Sequence, residues 1–369
     1  MDDSKRARKE HGVRATNQEF GRYEQVEKRQ EYALAEGGRA DEFDEEYRIR
    51  TVDMAPYLRG GDAEAQAFAR ELGRALQDIG FAILVGHGVA PALFERVEAA
   101  IARLFTGHAL AEKQRFAARR HGSVNQGYFG LRETSDIHPD LVEGWVFCRR
   151  AFDLGEEPVN LADFWPDPGE ERVFRELVQA LEPLILPVMR SLLRYLRCDA
   201  HLYDRRLTRP HLGLRLNYYP PLGEKDRRSG AGRLLGHEDV DLFTLVPAPR
   251  IEGLQVLNRR NFRWIRLEAP RGALILNTGD YMQRITNDVL PSTTHRVSQP
   301  RTQELCARAR VSCATNVYLR EDELLEVLPG LPHPKYEPVR ALQFHTRTTA
   351  KYYGDGYAVP DEPDAERAS

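Results

Sequence analysis

The chemistry of this chain is most legible in Gly236-His237-Glu238-Asp239-Val240-Asp241-Leu242-Phe243-Thr244-Leu245-Val246, where a histidine and an aspartate stand two positions apart. In an extended segment, side chains two apart point to the same face. The His237 imidazole and the Asp239 carboxylate could then bind one metal ion while Glu238 points away. The pair alone is not specific, because His138-Pro139-Asp140 repeats it. There the surrounding Ser-Asp-Ile-His-Pro-Asp reads as a turn with no β run behind it. His295, in the strand-like run Pro291-Ser292-Thr293-Thr294-His295-Arg296-Val297, supplies a third donor. Two histidines and one carboxylate on one face of an octahedron leave three positions open. That arrangement suits Fe(II) when a cosubstrate and O2 must also reach the metal.

Two further runs carry polar side chains on a common strand face. Arg310-Val311-Ser312 would offer a guanidinium beside a hydroxyl, a pairing suited to bidentate binding of a carboxylate. Arg310 could equally be a surface strand cation, and Arg308, two residues earlier, competes for the same role. Upstream, Arg215, Asn217 and Tyr219 share a face in Arg215-Leu216-Asn217-Tyr218-Tyr219-Pro220-Pro221. Tyr219 reads either as a phenol donor to an anionic ligand or as a packed barrel aromatic.

The elements that must position these residues change character along the chain. Residues 1–48 are polar and rich in Glu, Arg and Gln, and read as a poorly ordered extension. A short strand pattern follows at Arg50–Met54. Asp62 caps a helix whose apolar positions Phe68, Leu72, Ala75, Leu76 and Ile79 mark one buried face, and Gly80 ends it. Phe81–Val85 reads as a buried strand, Pro91 starts a second helix, and a third spans about Glu170 to Leu196. Pro183 and Pro187 should kink or divide that third helix.

After about Leu212, short β-favouring runs alternate with turns: Leu214–Tyr219, Leu242–Val246, Gly253–Leu257, Phe262–Ile265, Ala273–Asn277, Thr293–Val297 and Ala309–Tyr318. Many short strands separated by turn residues suggest a closed or double-sheet β architecture. A helical segment is expected around Glu321–Leu328, then a Pro- and Tyr-rich tail. The expected organisation is therefore an N-terminal helix and strand region over 49–200, a β catalytic core over 201–330, and a tail over 331–369. From residue 49 onward these are read as one structural unit.

Composition narrows the function. The 53 Lys and Arg residues nearly balance 56 Asp and Glu, for a formal charge of −3, which argues against a nucleic-acid partner held by a net basic surface. The small cluster Lys225, Arg227 and Arg228 is interleaved with Glu224 and Asp226 and reads as a solvated loop. No polar start followed by an apolar stretch marks a secretory signal, and no apolar run of about 18 residues suggests a membrane partner. The four cysteines, Cys148, Cys198, Cys306 and Cys313, form no Cys-x-x-Cys pair and fit a reducing compartment. The expectation is a cytoplasmic protein acting on a small molecule.

In chain order, the opening Gly80-Phe81-Ala82-Ile83-Leu84-Val85-Gly86-His87-Gly88-Val89 is followed by Asn217-Tyr218-Tyr219-Pro220 and His237-Glu238-Asp239. Gly253-Leu254-Gln255-Val256, Asn277-Thr278-Gly279-Asp280, His295-Arg296-Val297 and Arg310-Val311-Ser312 complete the set. This ordered series resembles the isopenicillin N synthase-like group of 2-oxoglutarate-dependent oxygenases, from about Arg50 to about Tyr318. The resemblance implies a mainly β, α+β fold: a double-stranded β-helix, or jelly roll, with flanking N-terminal helices. It implies iron on His237, Asp239 and His295, with His87 structural. It also implies a 2-oxoglutarate cosubstrate whose far carboxylate meets Arg310 and Ser312, with Asn217 or Tyr219 nearby. O2 would drive its decarboxylation to succinate and CO2, coupled to oxidation of a small organic substrate by hydroxylation, desaturation or cyclisation.

One departure is that the stretch from His295 to Arg310 is longer than usual, with Gln299–Leu305 as a candidate inserted loop. Branches of the same family that do not consume 2-oxoglutarate keep the Arg-x-Ser pair, so an oxidase independent of 2-oxoglutarate is the alternative. A non-catalytic jelly-roll binding protein would have no need of three metal-binding side chains. On the substrate side, Gly127–Gly130 and Glu143–Phe147 are candidate pocket walls. Arg149-Arg150 reads as a solvated pair, with contact to an acidic substrate as the competing role.

Overall fold

A computed structural model describes residues 42–133, 140–228, 232–353 and 355–359. Most of the expected 1–48 extension lies outside these residues, as does His138.

Strand β1 (Thr51–Asp53) runs parallel to β2 (Phe81–Val85). Between them helix α1 (Asp62–Ile79) buries Phe68, Leu72, Ala75, Leu76 and Ile79, the face that its spacing predicts. Gly61 rather than Asp62 takes the cap position, and its N–H donates to the Glu64 carboxylate at 2.8 Å. Gly80 ends the helix with φ 74°, a left-handed conformation that favours glycine. Helix α2 (Pro91–Gly107) follows, then three strands absent from the sequence reading: β3 (Arg119–His121), β4 (Val124–Phe129) and β5 (Glu143–Cys148).

Helix α3 (Glu171–Tyr195) is neither divided nor ended at Pro183 or Pro187. Its buried stripe, including Leu177, Leu181, Leu184, Ile185, Val188 and Leu192, packs in the main core and carries the helix through both prolines.

The catalytic half supplies β6 (His211–Tyr219), β7 (Leu234–His237), β8 (Phe243–Pro247), β9 (Leu254–Leu257), β10 (Trp264–Arg266) and β11 (Leu274–Thr278). Helix α4 (Asp280–Ile285), β12 (His295–Val297), β13 (Arg310–Tyr318) and helix α5 (Ala341–Tyr353) complete the fold. The larger sheet has the order β1-β2-β11-β8-β13-β6-β5-β4-β3, and the smaller one β10-β9-β12-β7. Together they form the double-stranded β-helix. Strands β4 and β5 come from the N-terminal half yet extend the larger sheet directly beside β6.

Three expectations are corrected. Glu321–Leu328 is not helical: Leu324–Leu325 pairs with Val339–Arg340 as a short antiparallel ladder. Buried Leu325 and Leu328 stand three apart and mimic a helical face, but Pro329 follows at once. The segment after residue 331 is more than a tail, because α5 buries Phe344, Ala350 and Tyr352. Glu224–Arg228 forms a short helix rather than a loop, with Asp226 paired to Arg132 at 2.9 Å.

Candidate active site

Strand β7 ends at His237, so Asp239 stands in the turn toward β8 rather than on a continuous extended segment. The two side chains still converge, because the turn is gripped from behind. The N–H of Asp280, at the start of α4, donates to the Asp239 carbonyl at 2.8 Å, and the N–H of Tyr281 donates to the Asp241 carbonyl at 3.0 Å. Gly279 permits this approach, since a Cβ there would fall 2.1 Å from Asp241 Oδ1. His295 opens β12, which pairs with β7 so that His295 lies opposite His237.

The three side chains offer donor atoms that all lie within 4.8 Å of one another. Asp239 Oδ1 is 3.8 Å from His237 Nε2 and 3.9 Å from His295 Nε2. Each imidazole turns its other nitrogen to the backbone: His237 Nδ1 lies 2.9 Å from the Leu235 carbonyl, and His295 Nδ1 3.2 Å from the Thr293 carbonyl. A carbonyl can only accept, so Nδ1 carries the proton and the Nε2 lone pair faces the cluster. Asp239 Oδ2 accepts from Thr244 Oγ1 at 2.6 Å and Asn277 Nδ2 at 2.9 Å, which leaves Oδ1 free.

Electrostatics favour the same protonation pattern. Burial lowers the pKa of His237, and the neighbouring His295 adds to the effect, so the ring is neutral and able to donate a lone pair. For Asp239 burial acts upward, but both imidazoles and the Thr244 and Asn277 hydrogen bonds outweigh it and lower the pKa. Asp241 behaves oppositely: burial and the nearby Asp239 charge raise its carboxyl well above the usual range. Its Oδ2 shares Thr244 Oγ1 with Asp239 and also accepts from Asn316 Nδ2 at 2.8 Å. Two neighbouring carboxyls whose pKa values are pushed apart, beside two imidazoles that turn Nε2 toward them, give a donor set that fits a divalent iron.

A cavity of about 200 Å³ opens over this cluster. Arg310, Ser312, Asn217 and Tyr219 all line it, on paired strands that set Arg310 opposite Tyr219 and Ser312 opposite Asn217. Arg310 is 2% exposed; its Nε donates to the Ile251 carbonyl at 3.1 Å and its guanidinium carbon lies 4.9 Å from the Tyr219 ring centre. Its Nη1 has no hydrogen-bond partner among the described residues. Asn217 Nδ2 reaches Ser312 Oγ at 3.5 Å. Arg308 is exposed and precedes β13, which removes it as a competitor. The long connection from β12 is not a structureless insertion, because Gln303–Cys306 forms a helical turn capped by the Thr302 hydroxyl.

Sequence reasoning missed Arg233, which is fully buried. It donates to the carbonyls of Arg308 at 3.2 Å and Pro220 at 3.5 Å, and its guanidinium carbon lies 6.0 Å from the Tyr219 ring centre. Burial and the neighbouring Arg310 charge lower its pKa to about 10. A lone arginine followed by Leu234-Leu235 was the available signal. Glu238, predicted to point away from His237 and Asp239, is buried and accepts from the Thr294 hydroxyl.

The opposite wall is a composite. Phe129 from β4 and Val146 from β5 line the cavity, whereas Tyr128, Trp145 and Phe147 turn into the core. Thr349, Tyr352 and Tyr353 of α5 and the following Tyr357 close the same side. Arg149 is taken by Glu156 and by Glu182 at 2.8 Å, and Arg150 stacks 5.3 Å from the Phe164 ring centre. His87 is tied to the Gly272 carbonyl at 2.9 Å and does not line the cavity.

Known proteins share these features. Residues 49–168 match the family described as non-haem dioxygenase in morphine synthesis N-terminal, and residues 210–317 the 2OG-Fe(II) oxygenase superfamily. Gibberellin 3-beta-dioxygenase 1 of rice is 30% identical over 322 residues, covering 82% of this chain and 79% of the rice protein. A 2-oxoglutarate-Fe(II) type oxidoreductase of Metarhizium majus is 27% identical over 330 residues, covering 81% and 94%. A full-length Neurospora crassa protein, solved in complex with alpha-KG and thymine, superposes with a TM-score of 0.73 at 24% identity, covering 84% and 99%, and shares the fold. The chain belongs to the isopenicillin N synthase-like family of Fe(II)- and 2-oxoglutarate-dependent oxygenases, and is a dioxygenase of small organic substrates.

Proposed function

We propose that His237 Nε2, Asp239 Oδ1 and His295 Nε2 hold the Fe(II), and that Arg310, Ser312, Asn217 and Tyr219 receive the far carboxylate of 2-oxoglutarate. The observation that carries this reading is the cluster of three donors within 4.8 Å, each left free because its side chain's other polar atom is already bonded. Bound iron and 2-oxoglutarate supply O2 activation coupled to decarboxylation, the chemistry that belongs to the cofactor. The protein's part is to turn the Nε2 atoms of His237 and His295 toward the metal, favour the ionised form of Asp239, and present one guanidinium at the far end. Tyr219 stacks under Arg310 and limits its freedom, so less entropy is lost when a carboxylate docks.

A small molecule enters from the side of Phe129 and α5. No helix among the described residues is long and apolar enough to cross a membrane. The four free cysteines support a cytoplasmic setting. The test is an anaerobic titration with Fe(II) and then 2-oxoglutarate, followed by the weak visible charge-transfer band. A stoichiometric metal site and a saturable band are expected in the wild type and absent in His295→Ala. An unchanged band in that variant would overturn the ligand assignment.

A further inference from the structure

The cavity contains a second guanidinium, bonded to Asn217 of the proposed cosubstrate site but given no ligand of its own there. Arg215 lies on β6, opposite Ala314 of β13 and Val146 of β5, and lines the cavity. Its Nε donates to Asn217 Oδ1 at 3.1 Å and its guanidinium carbon lies 5.9 Å from the Phe129 ring centre. These contacts orient the group but leave its charge uncompensated: among the described residues no carboxylate lies within ion-pair distance of Arg215, and its terminal nitrogens make no hydrogen bond. Arg149, by contrast, is matched by Glu156 and Glu182, and Arg190 by Asp204.

Arg215 stands apart from Arg310, although Asn217, to which it is bonded, belongs to the proposed cosubstrate site. It stands four residues from Tyr219 along one strand, opposite Ala314, which is four residues from Arg310 along the other. On regular strands that is roughly 13 Å at the backbone. Each guanidinium is tethered at its Nε, one to Asn217 and the other to Ile251.

We propose that Arg215 anchors the oxidised substrate, and that this substrate is a small monocarboxylic acid with an aromatic-sized apolar body. The carboxylate pairs with the terminal nitrogens of Arg215. The body packs against Phe129, Val146 and the tyrosines Tyr352, Tyr353 and Tyr357, which line the same side. A phosphate monoester is disfavoured, because its charge approaches −2 at neutral pH and one guanidinium leaves the excess unpaired in a partly dry site. The inference rests on the reading of His237, Asp239 and His295 as the iron site.

The test titrates phenylacetate and 3-phenylpropanoate, and their neutral amides, into anaerobic protein carrying Fe(II) and 2-oxoglutarate, by calorimetry. Each acid should bind the wild type roughly ten- to a hundred-fold more tightly than its amide, the range for a charge-assisted bidentate contact. Arg215→Gln should erase that contrast, and Arg215→Lys should restore part of it, which a merely structural arginine would not do. Equal binding of acids and amides, binding of neither, or a contrast that survives Arg215→Gln overturns the proposal. So does a fall in 2-oxoglutarate affinity on Arg215→Gln as large as that on Arg310→Gln, since Arg215 would then serve the cosubstrate. Failure of the wild type to bind Fe(II) or 2-oxoglutarate would instead sink the iron-site reading beneath it.

Discussion

The two sides of the cavity are built in different ways. On the oxidising side, each proposed metal ligand is locked by a further hydrogen bond: His237 and His295 by backbone carbonyls, Asp239 by Thr244 and Asn277. On the opposite side, the β3–β4 hairpin meets Tyr357, just beyond α5, from a position far apart in sequence. Arg120 stacks 5.4 Å from the Tyr357 ring centre and donates to the Tyr357 carbonyl, while the Tyr357 hydroxyl donates to the Ser123 carbonyl at 3.3 Å. A chemistry common to many substrates demands fixed donors, while a substrate wall needs only shape and one or two polar anchors. Substitutions on the first side should therefore abolish a binding step, and those on the second should shift which molecule is accepted.

The largest effect should come from His237→Ala, Asp239→Ala and His295→Ala. Each removes a donor from a set of three, so iron stoichiometry should fall toward zero and succinate production should vanish, as read by metal analysis and product assay. The fold should survive, with Asp239→Ala the least stable. It strands Asn277 in a buried site while Thr244 keeps Asp241, at a cost of about 1–3 kcal/mol by denaturant unfolding. His138→Ala is the silent control. Retention of stoichiometric iron by any of the three would break the comparison at its rigid end.

Arg310→Gln should come next, weakening 2-oxoglutarate binding roughly ten- to a hundred-fold while iron binding holds, measured by titration of the charge-transfer band. Arg308→Gln should do little, since Arg308 is exposed. Arg233 sharpens this end. It adds buried positive charge beside Arg310, so Arg233→Met should weaken 2-oxoglutarate by less than Arg310→Gln. Its melting temperature should change little, because the lost bonds to the Pro220 and Arg308 carbonyls are offset by relief of a buried, partly unsatisfied cation.

How much of this was legible follows from the same contrast. His237, Asp239 and His295 could be picked out as candidate ligands because metal ligation constrains residue type and local spacing. The conformation of the His237–Asp239 link was not legible, since the strand ends at His237 and the turn depends on α4 pressing from behind. Arg310 was separable from Arg308 only by tertiary burial. The wall was invisible for a different reason. Helix α5 includes Thr346, Thr348 and Thr349, which lower local helix propensity, and packing on Tyr281 and Tyr318 supplies what propensity lacks. Strands β3 to β5 are short and lie between helices, so nothing local announces that they extend the larger sheet.

The wall should also respond to pH, as should the metal end through His237, whose pKa burial likewise lowers. His345 of α5 is buried against Tyr281 and Tyr318, with Nδ1 3.2 Å from the Tyr281 hydroxyl. Burial lowers its pKa to about 3, and the nearby His211 adds to the effect. The folded value lies below the usual value of 6.5, so the unfolded segment binds the extra proton first. Docking of α5 is therefore at full strength above about pH 6.5 and weakens by about 1.4 kcal/mol per unit as pH falls toward the folded value. Hydrogen exchange should show α5 losing protection between about pH 6.5 and 5, and His345→Phe should flatten that trend in α5 while leaving the response of β7 unchanged. An undiminished loss of α5 protection in His345→Phe would mean that another group governs its docking.

The smallest effect is expected at Glu238, and it tests whether the rigid end owes its geometry to the ligands or to everything packed around them. Glu238 sits between two proposed ligands, is 2% exposed, and accepts from the hydroxyl of Thr294, the residue before His295. It therefore ties the two ligand-bearing segments together without offering an atom to the cluster of three donors. Glu238→Gln keeps the shape and an acceptor oxygen for Thr294 but removes the charge. The weaker neutral hydrogen bond should cost about 1 kcal/mol of stability, with iron stoichiometry retained. Turnover should stay within about tenfold of wild type, because a loss of about 1.4 kcal/mol in positioning corresponds to one decade. Loss of iron on the scale of Asp239→Ala would mean that Glu238, not Asp239, faces the metal, and that the turn after β7 is read in the wrong register.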